Sequence, residues 1–440
     1  MAVPRFGKLP VCSFSSLNQP GTHQLTDHLF RHEAGKMVAV LTRLFGPDQL
    51  ELAEDVVQDT LLKAYATWME GDLPANPTAW LYQVARHKAI DILRRRRKMV
   101  HTDFNDPNYN HELETEPQLF ESPALIDDDM LRMMFACCHP DIPAEGATAL
   151  ILKTLCGFST KEISDAFLST EDTISKRLYR AKQVFRKREN SLSIPSVAAI
   201  KSRIDSVLNA IYLLFNAGYT SLSIDASLRK DMMDEAIRLA GLMTHHEHTR
   251  RPEVYALLAL MCFQASRSSS RVSGEGRLIL LKDQDRSTWD QSMIQRGNEY
   301  LNNAASGYHI NTYHLEAAIA WEHCHATSFE ATNWHSILRY YDWLLAISAN
   351  PVNCLHRSVA VLYAKGAAEA LDALEHIQDR DKLATHYLYH SILGECYVHR
   401  HQYSDALNAF IKALHLAENQ AEKELLQEKI QALSEMNKAD

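Results

Sequence analysis

The sequence predicts an all-α protein of several parts: a small helical bundle, a helix-turn-helix and a long run of helical pairs. Three observations predict it. The 440 residues contain only 15 glycines and 14 prolines. Long stretches place apolar residues at steps of three and four, so they share one helix face. The length exceeds what one core supports and implies two to four domains.

Residues 1–27 are polar, carry Pro4, Pro10, Pro20 and Gly21, and lack the apolar core of a leader, so they read as a loose tail. His28 to Phe45 has helical spacing and stops at Gly46-Pro47. Glu51 to Met69 is a second helix. Leu52, Val56, Leu62 and Tyr65 point inward, which leaves Glu54, Asp55, Gln58 and Asp59 as an acidic face. Residues 71–77 form a turn, and Ala79 to Lys98 is a helix with Leu81, Ala85, Ala89 and Ile92 on one side. Its last thirteen residues carry seven Lys or Arg against one acid, Asp91, and four of them are the consecutive Arg94, Arg95, Arg96 and Arg97. A helix apolar on one side and that basic on the other suits a polyanion. Residues 28–98 thus make one three-helix domain.

Residues 99–129 read as a linker: between 101 and 130 there are nine acids, three prolines and no Lys or Arg. Residues 130–190 are helical again. Gly157 ends a helix and Ser159 or Thr160 caps a short one over 161–167. After a turn at Leu168-Ser169, Thr170 opens a longer helix with Glu171 and Asp172 in its first turn. Ile163, Ala166, Ile174 and Leu178 face inward together, and Lys176, Arg177, Arg180, Lys182 and Arg186 face out, the pattern of a helix-turn-helix.

Residues 191–440 are helix after helix. Leu393, Gly394, Tyr397, Tyr403, Ala406, Phe410 and Ala413 sit at tetratricopeptide spacing, and a weaker copy lies around Ala360 to Leu374. The segment 196–345 suggests further pairs of unphased repeat, and 420–436 a polar capping helix.

The net charge of −9 excludes an indiscriminate DNA coat. Residues 200–440 hold 23 basic and 29 acidic side chains, so the acidity concentrates there and in the linker. No run of eighteen apolar residues exists to span a membrane. Eight cysteines without CxxC spacing suit free thiols in a cytoplasm. No Walker loop, GxSxG or HExxH is present. The sequence therefore points to no enzyme, cofactor or metal. His245, His246 and His248, like His323, Cys324 and His325, lack a second pair at ligand spacing. The string over 283–290 is read first as a helix cap, with an Asp–Arg pair and Trp289 as packing, and secondly as an interdomain or regulatory spot built on Asp283, Asp285, Arg286 and Trp289.

The order of parts resembles bacterial extracytoplasmic-function sigma factors. LAEDVVQDTLLKAYATW, NPTAWLYQVARHKAIDILRRRRK and GFSTKEISDAFLSTEDTISKRLYRAKQVFRK are similar to that family's clamp-binding helix, downstream-promoter helix and C-terminal helix-turn-helix. FACCHPDIP, LFNAGYTSL, LLKDQDRSTWD and YHLEAAIA resemble the subgroup with a tetratricopeptide-like extension. The resemblance implies core RNA polymerase (clamp and flap) and promoter DNA as partners, in the cytoplasm. It gives Asp55, Gln58 and Asp59 to the polymerase. It gives Asn76, Trp80, Arg86, His87, Lys88 and Arg94 to Arg97 to the −10 element, although His87 stands where many relatives carry Asn. It gives Thr170, Glu171, Thr173, Lys176, Arg177 and Arg180 to the −35 element. A groove in the extension suits a protein or peptide, and the extension is expected to tune activity in either direction. The alternative is a stand-alone helix-turn-helix regulator with a repeat-type sensor, which leaves the acidic and basic helices unexplained.

Overall fold

The computed structural model describes residues 20–70, 73–100, 123–167, 169–187, 197–220, 226–273, 277–307, 309–348, 351–377, 383–417 and 420–436. The expected turn residues Gly71, Asp72 and Leu168, and the linker over 101–122, lie outside them.

The first three helices are α1 (Pro20–Phe45), α2 (Leu50–Glu70) and α3 (Pro77–Val100). Helix α1 begins inside the stretch expected as a tail, since proline suits the first turn of a helix. It ends at Gly46, whose φ of 97° is open to glycine and strained for other residues. Tyr82 on α3 donates to the buried Glu33 of α1 at 2.7 Å, and Trp68 of α2 packs between Phe30 and Trp80.

Helix α4 (Pro123–Cys137) starts six residues before the linker was expected to end, at 129. Asp129, read as one of the linker's acids, is buried: Arg43 of α1 reaches it at 2.7 Å and Arg132 at 2.5 Å. Burial pushes the Asp129 carboxyl upward, against the pull of the two guanidinium groups. Then come α5 (Ala144–Thr154), α6 (Thr160–Ala166) and α7 (Glu171–Arg186). Ser159 and Glu162 cap α6 reciprocally, each side chain accepting from the other's backbone N–H.

The remaining helices are α8 (Val197–Thr220), α9 (Ala226–His245), α10 (Pro252–Ser266), α11 (Gln291–Ala304), α12 (Thr312–His325), α13 (Trp334–Ile347), α14 (Pro351–Lys365), α15 (Ala367–Glu375), α16 (Tyr387–His399), α17 (Tyr403–Leu416) and α18 (Gln420–Met436). Among the described residues the only β-pairing is an isolated bridge between Val272 and Leu278.

One hydrophobic cluster runs without a break from Met37 on α1 to Met261 on α10. It takes in Leu81 of α3, Phe135 of α4, Leu150 of α5, Phe185 of α7, and Ile200, Ile204, Val207 and Ile211 of α8. Residues on both sides of the boundary expected at 190 thus share one core. A Cβ on Gly35 of α1 would lie 1.7 Å from the Leu155 carbonyl oxygen, so these backbones approach closely. Smaller clusters follow, the last holding α17 to α18. In the pair α16–α17 a Cβ on Gly394 would meet the Phe410 ring at 2.6 Å, so the two helices approach closely there.

Candidate nucleic-acid and protein interfaces

Helix α2 turns Asp55, Gln58 and Asp59 to solvent, while Ala53, Val56, Val57 and Thr60 are buried. Asp59 is paired at 3.1 Å with Lys88 of α3, so the acidic face and the basic helix meet along one edge. The three residues lie one turn apart, where acids present a common patch to a cationic surface.

On α3, Asn76 is exposed and caps the helix by accepting from the Ala79 N–H at 3.0 Å. Trp80 is half-buried on Trp68, 5.5 Å between centroids, so it is a supported platform rather than a free ring. Along the helix His87, Arg94 and Arg95 are exposed, and Arg86 and Lys88 are half-buried. The side chains of Arg96 and Arg97 fall outside the described residues.

The helix-turn-helix is α6 and α7. Thr170 caps α7 by accepting from the Thr173 N–H at 3.2 Å, and Ile174, Leu178, Ala181 and Phe185 bury its inner face. Glu171, Lys176 and Arg180 are exposed, and Thr173 is half-buried. Lys176 pairs with Asp172 at 2.6 Å within the helix. Arg177 is turned aside and pairs at 2.6 Å with Glu145, in the first turn of α5. Ser175 and Tyr179, which sequence reasoning passed over, are also exposed; Tyr179 is 66 % accessible. Their signal was the helical register itself, which puts both opposite the buried stripe.

The other flank of α7 faces the first domain. Lys182 pairs with Glu54 at 2.5 Å, and Arg186 pairs with Glu51. Two of the five basic residues expected to point outward on α7 are thereby held on the acidic helix α2. Lys153 of α5 lies within electrostatic reach of both Glu54 and Lys182, and burial pushes its pKa down.

The string over 283–290 is a clasp. Asp285 caps the turn at Ser287, and Asp290 caps α11 by accepting from the Ser292 and Met293 N–H groups. Among the described residues Arg286 makes no Asp pair: its guanidinium donates to the carbonyls of His323 and Ala326 at the end of α12, where the helix leaves carbonyls unpaired. Trp289 is buried beneath it, 4.9 Å from guanidinium carbon to ring centroid. Asp283 is exposed. Among the described residues no three His, Cys, Asp or Glu side chains gather as a metal would need, and no helix is long and apolar enough to cross a membrane.

An all-helical chain with a helix-turn-helix, a capped basic helix and an acidic helix beside it is a DNA-binding transcription protein in its first half. Residues 29–99 match the family Sigma-70 region 2, and residues 203–305 match a family of unknown function, DUF6596. An uncharacterised protein of Rhizobium meliloti strain 1021 is 32 % identical over 380 residues, covering 85 % of this chain and 88 % of its own. The ECF RNA polymerase sigma factor SigL of Mycobacterium tuberculosis is 30 % identical over 135 residues, 30 % of this chain and 72 % of its own. The ECF RNA polymerase sigma-E factor of Haemophilus influenzae is 24 % identical over 170 residues, 38 % of this chain and 88 % of its own. No solved structure matches the chain. The chain belongs to the extracytoplasmic-function sigma factors of the sigma-70 family, with a helical C-terminal extension.

Proposed function

We propose that the protein joins core RNA polymerase through α2, reads promoter DNA through α3 and α7, and directs transcription initiation. The observation that carries this is the exposed Asp55–Gln58–Asp59 face beside a basic helix, a pairing that a stand-alone DNA-binding regulator has no use for. The acidic face suits the basic clamp of the polymerase. Asn76 and Trp80, at the start of α3, suit a −10 base unstacked during strand opening. His87, Lys88, Arg86 and Arg94 to Arg97 suit the phosphates beside it. Thr170, Glu171, Thr173, Lys176, Arg177 and Arg180 suit the −35 major groove, entered by the N-terminal half of α7. Residues 130–190 would also meet the polymerase flap. The helical pairs of 191–440 suit a regulatory part of tetratricopeptide-like character with a groove for a peptide or protein. Asp283, Asp285, Arg286 and Trp289 would form its regulatory spot, in which Arg286, seated over Trp289, holds the end of α12.

The ion pairs of Lys182 and Arg186 with Glu54 and Glu51 support a closed resting arrangement. Parting those pairs would free the basic flank of α7 for the −35 groove. The test is run-off transcription with purified core polymerase on a promoter library, using the full-length chain and the Asp55→Ala/Asp59→Ala variant. Specific transcripts from the first and none from the second are expected. A folded full-length chain that neither associates with polymerase nor yields transcripts overturns the reading in favour of the stand-alone regulator.

A further inference from the structure

Helices α8, α10, α12, α13 and α14 line a cavity of about 640 Å³. That size falls within the range of small-molecule sites. Its lining carries two opposite charges that do not meet each other. Glu316 of α12 accepts a hydrogen bond from the Tyr212 hydroxyl at 2.6 Å and has no cation beside it among the described residues; burial pushes its carboxyl up, against that bond, so a cation arriving there would restore its charge. Arg267, just past α10, has no carboxylate partner there either among the described residues; its guanidinium carbon lies 5.8 Å from the Tyr219 ring centroid. Tyr341 of α13 lines the same cavity, and burial pushes its hydroxyl up, with Glu316 adding to that shift and Arg267 opposing it.

Two more polar atoms on these lining residues are buried without a hydrogen-bond partner: Oε1 of Gln264 and Nδ1 of His323. Buried polar atoms are almost always satisfied, and each exception marks a missing ligand, a water or a strained site. Burial and the neighbouring Arg267 and Arg286 push the His323 imidazole down to about 3, so it is neutral and can accept or donate. Charges held apart in a partly dry site are costly unless a third body pairs both.

We infer that this cavity binds a small zwitterion of free amino-acid or dipeptide size, its ammonium on Glu316 and its carboxylate on Arg267. A metal would need more than one acidic oxygen donor set, and a phosphate would be repelled by Glu316. An ammonium meets a carboxylate already oriented by Tyr212, and a carboxylate meets a guanidinium in the fork geometry the two groups share. An extension with such a site would couple transcription to the level of an amino acid or peptide.

The experiment uses the full-length protein without polymerase or DNA, so it stands apart from the promoter-reading proposal. Melting temperature and binding heat are measured with each common L-amino acid and with glycylglycine, then with the N-acetyl and C-amide forms of any binder. At least one free probe raises the melting temperature, and neither capped form does. Glu316→Gln and Arg267→Gln each weaken that binding about tenfold or more, with unchanged far-UV circular dichroism. Should Glu316→Gln fold poorly, Ala320→Trp, which fills the cavity from α12, abolishes binding instead. Preference for glycylglycine over every amino acid assigns the site to peptides. Absence of any shift or heat across all probes overturns the inference, as does binding that survives Glu316→Gln and Arg267→Gln together.

Discussion

Nζ of Lys182, on the second helix of the helix-turn-helix, lies 2.5 Å from Oε2 of Glu54 on the acidic helix α2, and both side chains are only 18 % exposed. One turn further along α7, Arg186 pairs with Glu51, on the same acidic helix. A double-mutant cycle of Lys182→Ala with Glu54→Ala is expected to give a coupling of about 1 kcal/mol, the upper end for partly exposed pairs. The Glu51→Gln/Glu54→Gln variant is expected to bind a −35 duplex about fivefold more tightly, because the basic flank of α7 is released. A coupling near zero, measured by chemical denaturation, would remove the latch.

On the outer face of α7, Arg180→Ala should weaken binding evenly across sequences and reduce the salt slope by about one, as loss of a phosphate contact does. Tyr179→Ala should instead change base preference, since the exposed ring lies on the face a groove would meet. Arg177→Ala should weaken binding or shift preference, and Glu145→Gln should act oppositely by freeing that guanidinium. Fluorescence anisotropy over a range of salt and a −35 sequence library separates these outcomes.

Arg286→Ala should destabilise the extension by about 2–3 kcal/mol, because two helix-end carbonyls lose a charged donor. Arg286→Lys should rescue it only in part, as an ammonium cannot reproduce the planar fork. Thermal unfolding reads both, and a wild-type melting temperature in Arg286→Ala would remove the clasp from the account.

Acidification should also weaken the extension. The folded pKa of His323, about 3, is below the unfolded value near 6.5. The unfolded chain therefore binds a proton that the folded chain refuses, and stability present above pH 6.5 is lost as pH falls below it. At pH 5 the loss from this one group is about 2 kcal/mol. His314 and His356, also lowered by burial, act in the same direction. Unfolding curves at pH 7.5 and pH 5 test this, and His323→Asn should flatten the difference.

Gly394→Ala should cost about 1–3 kcal/mol, since the added methyl meets the Phe410 ring at 2.6 Å. Combining it with Phe410→Leu should recover part of the loss. Gly35→Ala should be worse, because its obstacle is the Leu155 backbone and cannot turn away. Melting temperatures of the three variants give the order directly.

Local signals in the sequence carried much of this. The Thr170 cap, the Ser159–Glu162 box and the buried stripe of α7 each follow from residues within four positions of one another. The exposed Asp55 and Asp59 of α2 follow from helical register for the same reason, but Leu62, read as inward, is 67 % exposed, and Glu54, read as part of the acidic face, is half-buried against Lys182. Arg286 was legible as part of a cap but not in its partners, which lie 37 and 40 residues away at the end of α12. Asp129 read as a solvated linker acid because its partner Arg43 is 86 residues distant. The Glu316–Arg267 cavity left no trace in spacing, since it is assembled by helices whose order in the chain says nothing of which faces meet.

The unbroken cluster from Met37 to Met261 bears on how the chain is born. A ribosome delivers α4 to α7 well before Ile200, Val207 and Ile211 of α8 exist to cover them. The promoter-reading half therefore leaves the exit tunnel with an apolar flank bare, and only translation through α10 closes it. A nascent chain stalled a tunnel length past residue 190, with α7 out and α8 still inside, should be held by chaperones and cut readily by protease. One stalled beyond the tunnel length past Met261 should resist both.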